Sequence, residues 1–297
     1  MATTKVITEL TNLNQANSES GLRMPTGGAF SGAPAEGMMR NDTTQSSASS
    51  ASTMQHYTGD NVWKNFVNVV QCTTATCNYP TTATALYQME NDGGVGNSIP
   101  DTCGNYNGTE VAVTYTTGKF GNAASFNGSS SEIDLGNSQV FSVTQTGEIS
   151  FSLWINSTDS DGGYVFAKGD DVAVKYEQNL YLNTNGTLNA AIYNSAQGTA
   201  ASVTTTATVN DGNWHHVVVT IDDGSSMSIY VDNGTPVTTT SWSGTVAYES
   251  TVPFFLGAFE GIPASSSKLN GKLDQVRVFP SVLTASQVTQ LYNEVGC

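Results

Sequence analysis

The sequence predicts an all-β protein, an antiparallel β-sandwich that ends in one short helix and is preceded by an extended arm and a small hairpin. From about residue 80, short runs recur between turn residues, as in ALYQME, NAASFNG, SEIDLGN and VPFFLGAF. No helical pattern lies between these runs. Many short strands at this spacing are typical of a sandwich or jelly roll.

Two segments show the two-residue period of a strand most clearly. The segments EISFSLWIN and NWHHVVVTID each place apolar side chains at alternate positions, which puts them on one face. These apolar residues are Ile149, Phe151, Leu153, Ile155, Val217, Val219 and Ile221. The dipeptides Asn185-Gly186 and Asn233-Gly234 supply the positive φ that tight hairpin turns need.

A single helix is predicted at the C-terminus, in PSVLTASQVTQLYNEVGC. Thr284 is placed as its N-cap, and Gln287 three residues later completes a capping box. Leu283 can pack against Val288 across this first turn, and Gly296 is placed to end the helix. The apolar stripe predicts that the helix lies against an end or edge of the sandwich.

The N-terminal part differs in composition. Residues 1–50 are rich in Ser, Thr, Gly and Asn and poor in large apolar residues, which predicts an extended arm that is ordered by partners. Residues 51–70 predict a β-hairpin around Thr58-Gly59-Asp60-Asn61. Residues 71–79 predict a cysteine-containing linker, and residues 80–297 the sandwich.

The charge excludes one class of partner. The formal net charge is −15, and residues 71–297 hold six basic and twenty acidic side chains. Such a surface repels phosphate backbones, so no nucleic-acid partner is expected. No apolar run approaches the ~20 residues needed to span a bilayer, so no membrane insertion is expected.

Two resemblances narrow the function. The motifs SFNGSSSEIDLGN, SFSLWIN, DGNWHHVVVTID, IYVDNG and GKLDQVRVF resemble the laminin-G-like, concanavalin A-like jelly roll over about residues 80–295. APAEGMMRND and STMQHYTGDNVWKNFV, within residues 34–67, resemble a short module of phage tail-fibre proteins. MATTKVITELTNLNQ has no apolar run of signal-peptide length. We therefore expect a virion protein of fibre or decoration type, released by host lysis.

The jelly-roll resemblance implies two antiparallel sheets of six or seven strands, a face or rim that often binds glycans, and frequently a structural Ca²⁺. The positions that match its calcium ligands are Glu90 or Asp92, the carbonyl of Asn127 or Gly128, and Asp274. Candidate residues for stacking on sugar rings are Tyr164, Tyr193, Trp242 and Tyr248.

Catalysis is not expected, although Glu132 and Asp134 stand two apart in a predicted strand and share a face. A glucanase of this pattern has a third carboxylate at position 136 or 137, where this chain has Gly136 and Asn137. A retaining glycosidase needs two carboxyls about 5 Å apart across the scissile bond. The missing third group favours a non-enzymatic protein.

The leading hypothesis is a virion protein that attaches through residues 1–70 and displays a domain for host or environmental polysaccharide. The alternative is a purely structural fibre or decoration protein, and a less favoured one is a glycoside-active enzyme. Fibre proteins with such arms usually form homo-oligomers, and a trimer is expected by resemblance. Four cysteines, Cys72, Cys77, Cys103 and Cys297, allow three pairings. Because the first and last strands of a jelly roll are neighbours, we expect Cys297 to pair with Cys77 or Cys103.

Overall fold

The computed structural model describes residues 39–42, 53–57, 63–65, 83–90, 98–143, 147–261 and 267–294. The chain divides into two compact units, Met1–Val69 and Val70–Cys297. The first unit contains an antiparallel three-stranded sheet of β1 (Met39–Asp42), β2 (Thr53–Tyr57) and β3 (Trp63–Asn65). The strand β1 falls within the predicted arm, and the rest of residues 1–50 lie outside the described residues.

The second unit is a sandwich of two antiparallel sheets, which confirms the predicted fold class. Sheet I has the order β17-β16-β15-β10-β19-β8-β7, with β4 also paired to β19. Its strands are β4 (Ala85–Tyr87), β7 (Thr114–Thr117), β8 (Asn122–Asn127), β10 (Glu148–Asn156), β15 (Trp214–Asp222), β16 (Ser226–Val231), β17 (Val237–Thr239) and β19 (Asn270–Phe279).

Sheet II has the order β14-β13-β12-β11-β18-β9-β6-β5. Its strands are β5 (Ser98–Ile99), β6 (Gly108–Val111), β9 (Glu132–Asp134), β11 (Gly163–Asp170), β12 (Lys175–Leu182), β13 (Thr187–Tyr193), β14 (Thr199–Thr208) and β18 (Phe254–Leu256). Each sheet therefore has eight strands in the part of the chain that the structure describes, where the resemblance implied six or seven. Short strands such as β5 and β17 account for the difference.

The core between the sheets is built by the alternating side chains that the sequence predicted. The inward residues of β10 and β15 are almost completely buried and belong to one hydrophobic cluster. At its centre, the ring of Phe151 from sheet I lies 4.6 Å from the ring of Phe166 and 5.4 Å from that of Phe254, both from sheet II. These aromatic contacts join the two sheets.

The helix α1 (Ala285–Tyr292) covers the outer face of sheet I. Its capping box is formed by Thr284 and Gln287, as predicted. Leu283 and Val288 are buried in one cluster together with Val218 of β15. Among the described residues, no helix is long and apolar enough to cross a membrane.

A buried ion pair ties sheet II to the segment that follows β17. The Lys168 Nζ lies 3.0 Å from Glu177 Oε2, and both side chains are fully buried. Lys168 also donates to the carbonyl of Glu249 at 2.8 Å, and the backbone N–H of Glu249 donates to Glu177 Oε2 at 3.1 Å. Burial raises the pKa of Glu177, and the neighbouring Lys168 opposes that shift.

We predict that Lys168→Met destabilises the sandwich by about 3–5 kcal/mol, because it leaves Glu177 buried without its cation. The double variant Lys168→Met/Glu177→Met should recover much of this loss, since neither charge is then buried alone. Equilibrium urea unfolding of the full chain measures both.

The matched control for this prediction is Lys175→Met. The Lys175 Nζ lies 3.7 Å from Glu249 Oε2, and its side chain is 41% exposed. Removing such a pair costs about 0–1 kcal/mol. Equal losses for Lys168→Met and Lys175→Met would contradict the role given to the buried pair.

Candidate functional site

The candidate site lies on the outer face of sheet II. Paired residues of antiparallel strands share a face, and the register pairs Tyr164 with Tyr181, and Tyr181 with Asn189. Leu180 and Leu182, which flank Tyr181 in β12, are completely buried in the core. The tyrosines and asparagines of β11 to β13 therefore point away from the core.

Five aromatic side chains on this face form a continuous row of ring contacts. Tyr181 meets Tyr164 edge-on at 4.9 Å, and Tyr164 stacks on Phe259 at 5.1 Å. Phe259 stacks on Tyr176 at 5.7 Å, and Tyr176 lies 5.3 Å from Tyr193. The four tyrosines are half-buried, while Phe259 is 4% exposed. We call these five residues the tyrosine row.

Hydrogen bonds and one glycine hold the tyrosine row in place. The Asn179 carboxamide donates to the Tyr193 hydroxyl at 3.1 Å, and the Tyr176 hydroxyl donates to Asp171 Oδ1 at 2.8 Å. The ring of Phe259 lies so close to Gly169 that a Cβ there would stand 2.9 Å from it. Only glycine at position 169 allows this approach without a shift of the ring.

The hydroxyl of Tyr164 stays protonated throughout the physiological range. Burial, together with the neighbouring tyrosines and Asp171, raises the pKa of Tyr164 to about 12. A neutral phenol both donates and accepts a hydrogen bond and keeps an apolar ring face. The tyrosine row therefore offers flat apolar surfaces with polar groups at their edges.

A set of carboxylates borders the tyrosine row. We call Glu132, Asp134, Asp170, Asp171 and Glu260 the acidic rim. Burial raises the pKa of Glu260, and the charges of Asp170, Glu132 and Asp134 raise it further. Asp170 and Glu260 also form an isolated backbone bridge that brings the ends of β11 and β18 together. Sheet pairing links Asp134 to Phe255, and Phe255 to Ala167 of β11.

The two carboxylates that raised the question of catalysis are both engaged. Glu132 forms an ion pair with Lys268. Asp134 Oδ1 accepts a hydrogen bond from the backbone N–H of Gly136 at 2.7 Å. Gly136 has a φ of +76°, a left-handed conformation that favours glycine over a residue with a carboxylate side chain. The turn after β9 thus explains why no third carboxylate stands at position 136.

The predicted sugar-stacking residues lie in three places. Tyr164 and Tyr193 belong to the tyrosine row. Trp242 instead packs against the hydrophobic core, and its Nε1 is buried without a hydrogen-bond partner. Tyr248 is 39% exposed, in the segment next to Glu249. The neighbouring Glu249 accepts from Gln197 at 2.9 Å, and Gln197 in turn accepts from the backbone N–H of Tyr176.

Tyr176, Tyr181 and Phe259 were not predicted from the sequence. The segment QNLYL alternates as a strand does, so Tyr181 carried a signal for the outer face. Tyr176 lies beside a register shift between β11 and β12, which breaks the alternation there. Phe259 follows β18 in an irregular segment, and no local pattern marks it.

A second group of interest surrounds the turn before β8. Asp274 Oδ2 accepts from the backbone N–H of Phe120 at 2.9 Å, and Glu90 Oε2 accepts from that of Asn122 at 3.0 Å. The other oxygen of Asp274, Oδ1, is buried without a hydrogen-bond partner. Burial raises the pKa of Asp274 to about 7, and the charge of Glu90 contributes to that rise.

The other predicted calcium ligands lie elsewhere or outside the described residues. Asn127 uses its Oδ1 to accept from the backbone N–H groups of the turn at 129–131, and it pairs with Asn270 at the start of β19. Gly128 follows it in the same turn, and Asp92 is not described. Within the described ranges, no three His, Cys, Asp or Glu side chains are grouped to hold a metal ion.

One of the four cysteines, Cys103, lies among the described residues. Cys103 is half-buried in the turn after β5, where its backbone N–H donates to Asp101 Oδ1 at 3.0 Å. Cys72, Cys77 and Cys297 lie outside the described residues. The predicted pairing of Cys297 stays a prediction.

Comparison with known proteins identifies the family. A sequence model described as the concanavalin A-like lectin/glucanases superfamily, in its laminin-G form, matches residues 127–289, more than half of the chain. The chain belongs to this superfamily. The strands β4 to β7 precede the matched range but pair within the same two sheets, so the sandwich of this lectin/glucanase-like domain begins earlier.

Individual relatives are distant. The chain is 25% identical over 149 residues to the adhesion G-protein coupled receptor V1 of Danio rerio, a match that covers 48% of this chain and 2% of the receptor. It superposes on the binding domain of Paraclostridial Mosquitocidal Protein 1 with a TM-score of 0.53 and 16% identity, over 70% of this chain and 51% of that one.

It also superposes on Domain 4 of the arabinanase AbnA of Geobacillus stearothermophilus, determined with arabinotriose, with a TM-score of 0.50 and 23% identity. That match covers 71% of this chain and 98% of that domain. These likenesses to solved structures show the shared sandwich fold. The chain spans about half of the toxin binding domain and a small part of the receptor, so they carry no whole-protein activity with them.

Proposed function

We propose that the sandwich is a non-catalytic glycan-binding domain and that the tyrosine row is its binding surface. The observation that carries this proposal is the row of ring contacts from Tyr181 to Tyr193, with its tyrosines half-exposed on one sheet face. Flat aromatic faces suit the apolar faces of sugar rings, and the amides of Asn179 and Asn189 can bond hydroxyl groups. Membership of a lectin-containing superfamily supports the proposal.

The absence of catalysis is part of this proposal. The carboxylate of Glu132 is paired with Lys268, and Asp134 accepts a hydrogen bond in the turn at Gly136. A retaining mechanism needs one carboxylate free as nucleophile and a second with a raised pKa as acid. One similar structure is the binding domain of Paraclostridial Mosquitocidal Protein 1, and another is a domain of an arabinanase in complex with arabinotriose. Both support a binding role for this domain.

We predict that Tyr176→Ala and Tyr181→Ala each weaken glycan binding by about tenfold or more, because truncating a central aromatic contact costs more than 1 kcal/mol. The full chain is immobilised in many copies on beads and tested against surface polysaccharide of host cells. Multivalent display is chosen because linked weak sites gain avidity by about 10²–10⁴.

The matched control is Tyr230→Ala. Tyr230 is half-buried on the opposite sheet, where it packs against the cluster under α1. Its loss should leave binding unchanged. If wild-type beads bind no host-surface fraction, and particles without the sandwich assemble poorly, the purely structural function replaces the proposed one.

We also propose that Asp274 and Glu90 hold a structural Ca²⁺. The residues fit a cation, since Asp274 Oδ1 is a buried carboxylate oxygen without a partner and Glu90 stands close enough to raise its pKa. Ca²⁺ takes six to eight oxygen ligands, including backbone carbonyls and waters. Two carboxylates would therefore be completed by main-chain oxygens of this turn and by water. The ion would fix β4, β8 and β19 to one another.

We predict that millimolar Ca²⁺ raises the melting temperature of the sandwich by several degrees, because an ion that binds only the folded state stabilises it by about 2.7 kcal/mol at a hundred times its Kd. Asp274→Asn should abolish the shift, whereas Asp161→Asn, at an exposed loop residue, should keep it. Thermal unfolding with and without chelator measures this. A shift of equal size in Asp274→Asn would refute the site.

The biological setting is proposed on sequence grounds. We propose that residues 1–70 attach the chain to a phage particle, that it assembles as a homo-oligomer with a trimer as the first expectation, and that disulfide bonds form after release by lysis. The resemblance of residues 34–67 to tail-fibre modules supports this setting. The sandwich would then be displayed outward for adhesion to host or environmental glycans.

We predict that an antibody raised against the sandwich labels intact particles, as seen by immunogold electron microscopy. Labelling is expected at fixed positions on the particle, since attachment through residues 1–70 leaves the sandwich accessible. A control antibody against a protein of the particle interior should not label. Absence of the chain from purified particles would contradict the virion setting and leave glycan binding untouched.

A further inference from the structure

Around the tyrosine row, carboxylates outnumber the lysines. Six basic residues occur after residue 70. Three of them, Lys119, Lys272 and Arg277, lie in β19 or in the turn before β8 and so belong to sheet I. The remaining three are Lys168, Lys175 and Lys268, and they accompany sheet II.

Each of these three lysines already has a carboxylate partner. Lys168 is buried with Glu177 at 3.0 Å, and Lys175 lies 3.7 Å from Glu249. Lys268 is paired with Glu132, and its side chain is 9% exposed. In the described part of sheet II, every lysine therefore already has a carboxylate partner.

In the described ranges, the remaining carboxylates of the acidic rim have no cationic partner. Asp134, Asp170, Asp171 and Glu260 have no lysine, arginine or histidine nitrogen within 4 Å among the described ion pairs. Asp134 and Asp170 accept hydrogen bonds from backbone N–H groups, and Asp171 accepts from the Tyr176 hydroxyl. None of these hydrogen-bond donors is a cation.

The acidic rim lies against the tyrosine row. Asp171 contacts Tyr176 directly, and Glu260 follows Phe259 in the chain. Asp170 lies beside Glu260 through their backbone bridge. A ligand stacked on the tyrosines would thus have carboxylates at its edge. An ammonium group there gains charge-assisted hydrogen bonds and an attraction to the tyrosine faces.

We propose that this site selects glycans whose amino sugars carry free, unacetylated amines. The inference rests on the proposed glycan-binding function and names its ligand class. An ammonium-bearing glycan complements the acidic rim. An N-acetylated glycan presents the same ring without the charge, and a glycan of uronic acids is repelled by unpaired carboxylates.

The test is titration calorimetry on the full chain with three 1,4-linked tetramers. One is made of glucosamine, one of N-acetylglucosamine and one of galacturonate. The glucosamine tetramer should bind about tenfold more tightly than the acetylated one in low salt, and the ratio should shrink as salt screens the rim. The galacturonate tetramer should bind most weakly, both with Ca²⁺ and with chelator.

Two double variants locate the effect. Asp134→Asn/Glu260→Gln removes two charges of the acidic rim but keeps hydrogen-bonding side chains, and it should bring the ratio close to one. Asp222→Asn/Asp223→Asn removes two charges at the β15–β16 turn of sheet I and should leave the ratio unchanged. An equal fall in both variants would show that net charge, not this face, selects the ligand, and would overturn the inference.

The outcomes separate the inference from the proposed function. If the acetylated tetramer binds as tightly as the glucosamine tetramer, or galacturonate binds best through Ca²⁺, selection of free amines is wrong while glycan binding stands. If none of the three tetramers binds, selection of free amines is also wrong. The proposed function falls with it only if the multivalent beads fail as well.

Discussion

The contact of Phe151 with Phe166 and Phe254 joins the two sheets, and the side chains that sheet II presents outward depend on it. The three rings lie within 5.4 Å of one another at the centre of the sandwich. Because successive residues of a strand face opposite ways, an inward Phe166 places Ala167 on the outer face, and an inward Leu180 does the same for Asn179 and Tyr181. Packing in the core therefore sets which side chains sheet II presents outward.

The two outer faces of the sandwich differ in what covers them. The outer face of sheet I is covered, since α1 packs on it and Glu294 accepts from both terminal nitrogens of Arg277, at 2.8 and 2.6 Å. The outer face of sheet II carries the tyrosine row instead, with half-exposed rings. A polar group such as Arg277 can be buried under the helix only because it is paired there. Among the described residues, the face that no helix covers is the one for which we propose ligand binding.

The superfamily name covers both lectins and glucanases, and local geometry supports the binding role proposed here. The turn after β9 uses a left-handed Gly136, and Asp134 closes that turn with its own side chain. Glu132 forms an ion pair with Lys268. A carboxylate engaged in these ways is less able to act as a nucleophile or acid, whereas the aromatic surface beside it needs no activation to bind a sugar. The same strand position thus lies at the border of the face for which we propose binding.

The sequence by itself determined the fold class, the strands with clear alternation and the capped helix, because each of these depends on residues a few positions apart. It also placed Tyr164 and Tyr193 among the candidates and brought Glu90 and Asp274 into one hypothesis through resemblance. Only the tertiary structure decided that Tyr164, Tyr176, Tyr181, Tyr193 and Phe259 form one row, and that Trp242 packs on the core instead. Alternation tells which residues of one strand share a face, but it does not tell which face is buried or which strands are neighbours. Those choices follow from long-range packing between sheets, which also brought Glu260 next to Asp170 and left Asp274 Oδ1 buried without a partner.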